Sequence, residues 1–159
     1  MIDCKAVKTP CNGNFLQEID NYLETINLTE FQQVIFSLNY LAQHSRPDIM
    51  FTVNQLSRFS TKPTTKQWTA LKHLLRYLKG TLRFNLSYKK SQSSLSISIL
   101  MGWVDADYAN AREDRKSISG YVVPVYENPV CWLSKRKSVV AQSTTEAEYI
   151  SMNVCAKQR

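Results

Sequence analysis

Between residues 61 and 99 the chain has no aspartate or glutamate, while eight lysines and arginines fall in that stretch. Other absences narrow the field first. No apolar run approaches the 18 or so residues of a membrane span, which argues against a membrane partner. The opening Met1-Ile2-Asp3-Cys4-Lys5 lacks the basic-then-apolar pattern of a secretory signal. Cys4, Cys11, Cys131 and Cys155 are scattered, with no Cys-x-x-Cys pair. Neither a disulfide framework nor a zinc site is expected, and four free thiols fit a reducing compartment. The glycan-acceptor matches at Asn27 and Asn85 are then chance matches. These absences predict an intracellular protein, cytoplasmic or nuclear, that is not secreted.

The 159 residues suffice for one ordinary domain or two small ones. The net charge of +7 is unevenly distributed: residues 1–60 carry −2, residues 61–99 carry +8 and residues 100–159 carry +1. A patch of one sign suggests a polyanion partner, although a solvated helix face would give the same count.

Residues 1–27 read as an extended lead-in with turn chemistry at Thr9-Pro10 and Asn12-Gly13-Asn14. Thr29 reads as the cap of a first helix with Val34, Ile35, Leu38, Leu41 and Ala42 inward, ending near Ser45 because Pro47 disfavours helix at Arg46. Pro47 suits the first turn of a second helix, with Ile49, Met50, Val53, Leu56 and Phe59 inward. A third helix is expected over about 64–79, with a stripe of Trp68, Leu71, Leu74, Leu75 and Leu78. Lys66, Lys72, His73, Arg76 and Lys79 lie mostly off that stripe, and Gly80 stands where a left-handed glycine would stop the helix. Such a helix could lie along a nucleic-acid backbone or on a membrane surface. The need for its apolar side in packing favours the former. Leu82 to Tyr88 alternates as a strand would, and the Ser-rich stretch 89–96 reads as a linker.

Three short-linked strands follow, over 97–108, 117–126 and 130–134, with turns at 109–116 and at Glu127-Asn128-Pro129. They predict an antiparallel meander. Ser143 and Glu146 then form a capping box, with Thr145 and Glu148 as a second possible register, for a last helix that turns Ala147, Ile150, Val154 and Cys155 to the sheet.

Asp105 and Asp107 share one strand face, where two like charges call for a cation. Glu146 is occupied by the capping box. Glu148 lies beyond the reach of capping and has no local structural task. Asp105 and Glu148 could share a hard cation such as Mg2+, and clustered carboxylates serve phosphoryl chemistry. Solvated surface acids would give the same pattern.

The stretches Tyr40-Leu41-Ala42-Gln43-His44-Ser45-Arg46-Pro47-Asp48-Ile49, Leu56-Ser57-Arg58-Phe59 and Leu75-Arg76-Tyr77-Leu78-Lys79-Gly80-Thr81 resemble the end of the reverse transcriptase region of copia-type retrotransposon Pol polyproteins. Asp105-Ala106-Asp107-Tyr108-Ala109, Arg115-Lys116-Ser117-Ile118-Ser119-Gly120-Tyr121 and Ser143-Thr144-Thr145-Glu146-Ala147-Glu148-Tyr149-Ile150 resemble the start of the ribonuclease H domain that follows it. The resemblance covers about residues 28–157. It implies an α/β (α+β) chain: a helical thumb- or connection-like segment over 1–90, then over 95–159 a truncated ribonuclease H-like fold of three antiparallel strands plus the first helix. It makes Asp105 and Glu148 catalytic ligands of Mg2+ acting on an RNA–DNA hybrid, and Asp107 a supporting residue. Lys66, Lys72, Arg76 and Lys79 become the nucleic-acid contacts, and the rest of the polyprotein a partner.

Two departures follow. The polymerase motif of paired aspartates is not in this stretch. The family's next catalytic carboxylate, an Asp followed by Asn, is expected past Arg159. Little or no nuclease activity is therefore expected from this stretch alone, and the strand over 97–108 is expected to keep an open edge prone to self-association. A non-catalytic transposon relic that binds nucleic acid or protein is the alternative.

Overall fold

A computed structural model of the chain describes residues 4–12, 26–90, 102–109 and 115–157. It divides into two compact units, residues 1–85 and 86–159.

Among the described residues the first unit holds three α-helices. α1 spans Leu28–His44 and is capped by Asn27, whose side-chain oxygen accepts the Glu30 N–H at 3.2 Å. The cap therefore falls two residues before Thr29: Asn27 has the extended backbone a cap needs, and Thr29 is already helical. Phe31, Ile35, Leu38 and Ala42 are buried at spacings of three and four. Arg46, pushed out of helical geometry before Pro47, breaks the chain. A 3₁₀ turn over Pro47–Ile49 leads into α2, Met50–Ser57, which buries Met50, Val53 and Leu56.

α3 spans Thr65–Gly80, and the Thr64 N–H donates to the Gln67 side chain at 2.8 Å, one half of a capping box. Its buried residues are Gln67, Leu71, Leu74 and Tyr77. The expected stripe is thus rotated. Gln67 is drawn in by the cap and Tyr77 by a hydrogen bond from its hydroxyl to Asp48 Oδ2 at 2.8 Å, which leaves Trp68, Leu75 and Leu78 half-buried. Gly80 is not a left-handed stop, since none of the described glycines has positive φ. A Cβ there would lie 3.0 Å from the Ala6 Cβ. Its function is close approach.

The expected strand over Leu82–Tyr88 does not form. Thr81–Arg83 turn, and residues 84–90 join no sheet. Alternation alone makes no strand without a neighbouring ladder. Leu82, Phe84 and Tyr88 are instead exposed.

The second unit carries a three-stranded antiparallel sheet in the order β1-β2-β3: β1 Trp103–Asp107, β2 Ile118–Val125 and β3 Asn128–Arg136. The meander is as expected from the sequence. The proposed start of the first strand over 97–101, residues 91–96 of the linker and residues 110–114 of the charged loop lie outside the described residues. The hairpin between β2 and β3 turns on Tyr126 and Glu127, with φ of 48° and 66°. These are the left-handed values of a type I′ turn. Asn128 and Pro129, expected in the turn, belong to β3. Pro124 faces Pro129, and the register shifts between Val123 and Pro124, because neither proline can donate to the ladder.

α4, Thr144–Ala156, starts at Ser143, whose hydroxyl accepts the Glu146 N–H at 3.1 Å. The Glu146 carboxylate takes the N–H of Gln142 at 2.6 Å rather than that of Ser143. Ala147, Ser151 and Cys155 are buried; Ile150 and Val154, also expected inward, are half-buried. Tyr121, Val123 and Cys155 form the core of this unit, with Val104, Cys131, Leu133 and Val154 packed on it. The Ser119 and Ser151 hydroxyls meet at 2.7 Å within it. Among the described residues no helix is long and apolar enough to cross a membrane.

Candidate functional site

Two sets of side chains can do chemistry, one in each unit. In the second unit the end of β1 is tied to the start of α4. The Tyr108 hydroxyl donates to the Gln142 carbonyl at 3.3 Å, next to the Ser143 cap. The Ala109 N–H donates to the buried Ser117 hydroxyl at 3.1 Å, in a backbone turn where Ala109 has φ of 52°. The end of the strand bearing Asp105 and the start of the helix bearing Glu148 are therefore tied at one corner.

Within that corner the carboxylates are placed differently. Val104 packs into the core on the side of Cys155. Strand alternation turns Asp105 and Asp107 to the other face, where both are exposed. Asp105 lies opposite Gly120 in the register, so no cross-strand side chain crowds it. Glu148 is half-buried, one residue past Ala147 in the second turn of α4.

A cation is already present beside Glu148. Lys137 leaves the end of β3, is 7% exposed, and donates from Nζ to the Ala147 carbonyl. Burial lowers its ammonium below the ordinary lysine range, against the opposing pull of Glu148 and Glu146. Nothing in the sequence singles out Lys137 from its basic neighbours Lys135 and Arg136. The available signal was the backbone: Lys137 N–H bonds the Ser117 carbonyl at 2.9 Å, extending the β2–β3 ladder by one pair and fixing where its side chain goes.

Magnesium takes six oxygen ligands in near-ideal geometry. Among the described residues no three or more His, Cys, Asp or Glu side chains come together as a metal site. The described carboxylates do not by themselves fit a complete Mg2+ site, and Asp105 lies on the sheet face away from Cys155 of α4, the helix that carries Glu148.

In the first unit the four basic residues of α3 divide. Lys72 is exposed and its ammonium stands 5.4 Å over the Trp68 ring. Lys66 is half-buried. Arg76 and Lys79 are engaged by the lead-in segment 4–12: Arg76 Nε donates to the Lys5 carbonyl at 2.7 Å and Lys79 Nζ to the Cys4 carbonyl at 2.8 Å. His73 takes the same kind of partner, the Thr9 carbonyl, at 2.9 Å.

One polar cluster escaped the sequence reading. Arg46 is held by two hydrogen bonds to Asp48, at 2.9 and 2.7 Å, and by two to Thr81, at 3.2 Å to its carbonyl and 2.7 Å to its hydroxyl. Tyr77 completes it through Asp48. The cluster fastens the α1–α2 junction to the end of α3. Asp48 and Arg46 flank Pro47 two apart, which was the legible signal. Their partners lie about thirty residues on.

Comparison with known proteins decides the lineage. The chain is 39% identical over 152 residues, 96% of its length, to the Retrovirus-related Pol polyprotein from transposon RE1 of Arabidopsis thaliana. It is 38% identical over 99% of its length to that from transposon TNT 1-94 of Nicotiana tabacum. This chain belongs to the copia-type retrotransposon Pol family. It spans about a tenth of the length of those polyproteins. A relative of another name, the Secreted RxLR effector protein 161 of Plasmopara viticola, is 34% identical over 80% of this chain, and the match takes up 87% of that protein. No family model matches the chain. No solved structure matches it either.

Proposed function

We propose that this Pol-family chain is the stretch that joins the reverse transcriptase to ribonuclease H and supplies the first part of the ribonuclease H site. One observation supports this best. In a chain alike over almost its whole length to Pol polyproteins, the aspartate-bearing strand Trp103–Asp107 opens an antiparallel meander, and the glutamate-bearing helix Thr144–Ala156 follows it, anchored at the same corner. In this reading Asp105 and Glu148 are two ligands of a Mg2+ site for cleaving the RNA strand of an RNA–DNA hybrid. The metal, when bound, would supply an activated water and a Lewis acid. This chain contributes the oxygen atoms and their placement, and Lys137 holds the first turns of α4 against β3. Lys66, Lys72, Arg76 and Lys79 supply the contacts to the phosphate backbone, Arg76 and Lys79 once they leave the carbonyls of residues 4 and 5. The open edge of β1, which pairs only with β2 among the described residues, receives a further strand from the rest of the polyprotein or from a second copy. The work is intracellular, where hybrids form during reverse transcription.

Two carboxylates are fewer than a hard dication takes, so the chain alone binds Mg2+ weakly and cleaves little. A gel assay with labelled hybrid and Mg2+ tests this. Robust cleavage that Asp105→Asn abolishes would contradict the expected inactivity.

The second reading is a transposon relic that binds nucleic acid or protein without cleaving it. It is favoured by the relative in which this stretch makes up most of the protein. Binding would then weaken with salt, and Asp105→Asn would leave it unchanged.

A further inference from the structure

The basic ridge of α3 is occupied by the protein's own backbone. His73, Arg76 and Lys79 lie three residues apart along one side of the helix, and their partners are the carbonyls of Thr9, Lys5 and Cys4. As the partner number falls from 79 to 73 the carbonyl number rises from 4 to 9, so segment 4–12 runs antiparallel to α3. All three acceptors are main-chain oxygens. The segment carries Lys5 and Lys8 and no acid. Gly80 lets the strap down: a Cβ at that position would come within 3.0 Å of the Ala6 Cβ and 3.4 Å of the Val7 carbonyl.

We propose that segment 4–12 is an autoinhibitory strap that holds Arg76 and Lys79 on neutral carbonyls and must lift before α3 can grip a phosphate backbone. The inference rests on the nucleic-acid reading of α3. A charged phosphate oxygen makes a stronger hydrogen bond than a peptide carbonyl, roughly twice as strong. The strap is tethered, however, and competes at an effective concentration on the order of millimolar. It therefore weakens the grip rather than abolishing it. In the strapped state Lys72, exposed over Trp68, makes the first contact.

The test titrates a fluorescein-labelled RNA–DNA hybrid with the parent chain, with Gly80→Ala, and with a variant lacking residues 1–12. Gly80 is the last residue of α3 and has no positive φ, so Gly80→Ala keeps the helix and every cation, while its methyl, 3.0 Å from the Ala6 Cβ, makes the strap give way. Removal of residues 1–12 frees the ridge by construction. Thermal melting checks that both variants fold, and hydrogen exchange at residues 4–12 reports strap release. Released variants are expected to bind about tenfold tighter at 50 mM salt, with a salt slope steeper by about 1.8, as two regained phosphate contacts require. Folded, released variants that bind like the parent, or more weakly because the strap adds Lys5 and Lys8 to the site, overturn the strap. If neither the parent nor the variants bind at any salt, the nucleic-acid reading itself fails, and the strap with it.

Discussion

Replacing Arg46 by methionine should unfold the helical unit far more easily than its surface position in the sequence suggests. The side chain is 8% exposed and makes four hydrogen bonds, two to Asp48 and two to Thr81. Arg46→Met keeps most of the volume and removes all four. Thr81 is buried, but its hydroxyl keeps the Tyr77 carbonyl and its carbonyl keeps the Phe84 N–H, so losing the two Arg46 donors costs about 1 kcal/mol there. Breaking a fully buried ion pair costs about 3–5 kcal/mol. Asp48 is 33% exposed, so water replaces part of what it loses, and Tyr77 still donates to it. These discounts put the net loss at about 2–3 kcal/mol. A unit of this size has a urea slope of about 1 kcal/mol/M, so the midpoint should fall by about 2–3 M. Trp68 is the sole tryptophan of the first unit, and Trp103→Phe with Trp132→Phe leaves its fluorescence as the reporter. A loss under about 0.5 kcal/mol, typical of an exposed ion pair, would refute the claim that this cluster fastens the helices.

Further expectations concern both units. Burial raises the Asp48 carboxyl, but hydrogen bonds from Arg46 and Tyr77 outweigh it and hold the group below the ordinary aspartate range. The first unit should therefore lose stability as pH falls below the ordinary aspartate value and through the depressed one, and Asp48→Asn should flatten that limb of a urea-midpoint-versus-pH curve. Burial pushes the Tyr121 hydroxyl up to about 12, with Cys131 and Cys155 adding to the shift. The second unit should lose stability as pH rises above 10 towards that value, and Tyr121→Phe should remove the loss. Tyr126→Asn with Glu127→Gly should stabilise the second unit by about 1–2 kcal/mol, since both positions sit in left-handed backbone. An unchanged melting temperature would speak against a type I′ turn. Ser143→Ala should cost α4 about 1 kcal/mol, read in the same melts.

The helices and the meander were legible because each rests on local signals. Pro47 breaks the first helix, the apolar spacing of three and four marks α1 and α2, and Ser143 caps α4. What escaped the sequence depended on distant partners. Gly80 looked like a stop because its neighbour Ala6 is more than seventy residues earlier. Leu82–Tyr88 alternated like a strand but has no ladder to join. Tyr77 outranks Leu75 and Leu78 in burial because Asp48 receives its hydroxyl. For the candidate site, Asp105 and Glu148 could be singled out from spacing and resemblance. Lys137 beside Glu148, and the strap over Arg76 and Lys79, required the fold.

The most direct measurement is cleavage by a chimaera in which this chain replaces the matching stretch of the Arabidopsis thaliana Pol relative. With Mg2+ and an RNA–DNA hybrid, the chimaera should cut the RNA strand, and Asp105→Asn or Glu148→Gln should each abolish the cut while leaving hybrid binding unchanged. Cleavage that survives either substitution would contradict the assignment of these two carboxylates to the nuclease site.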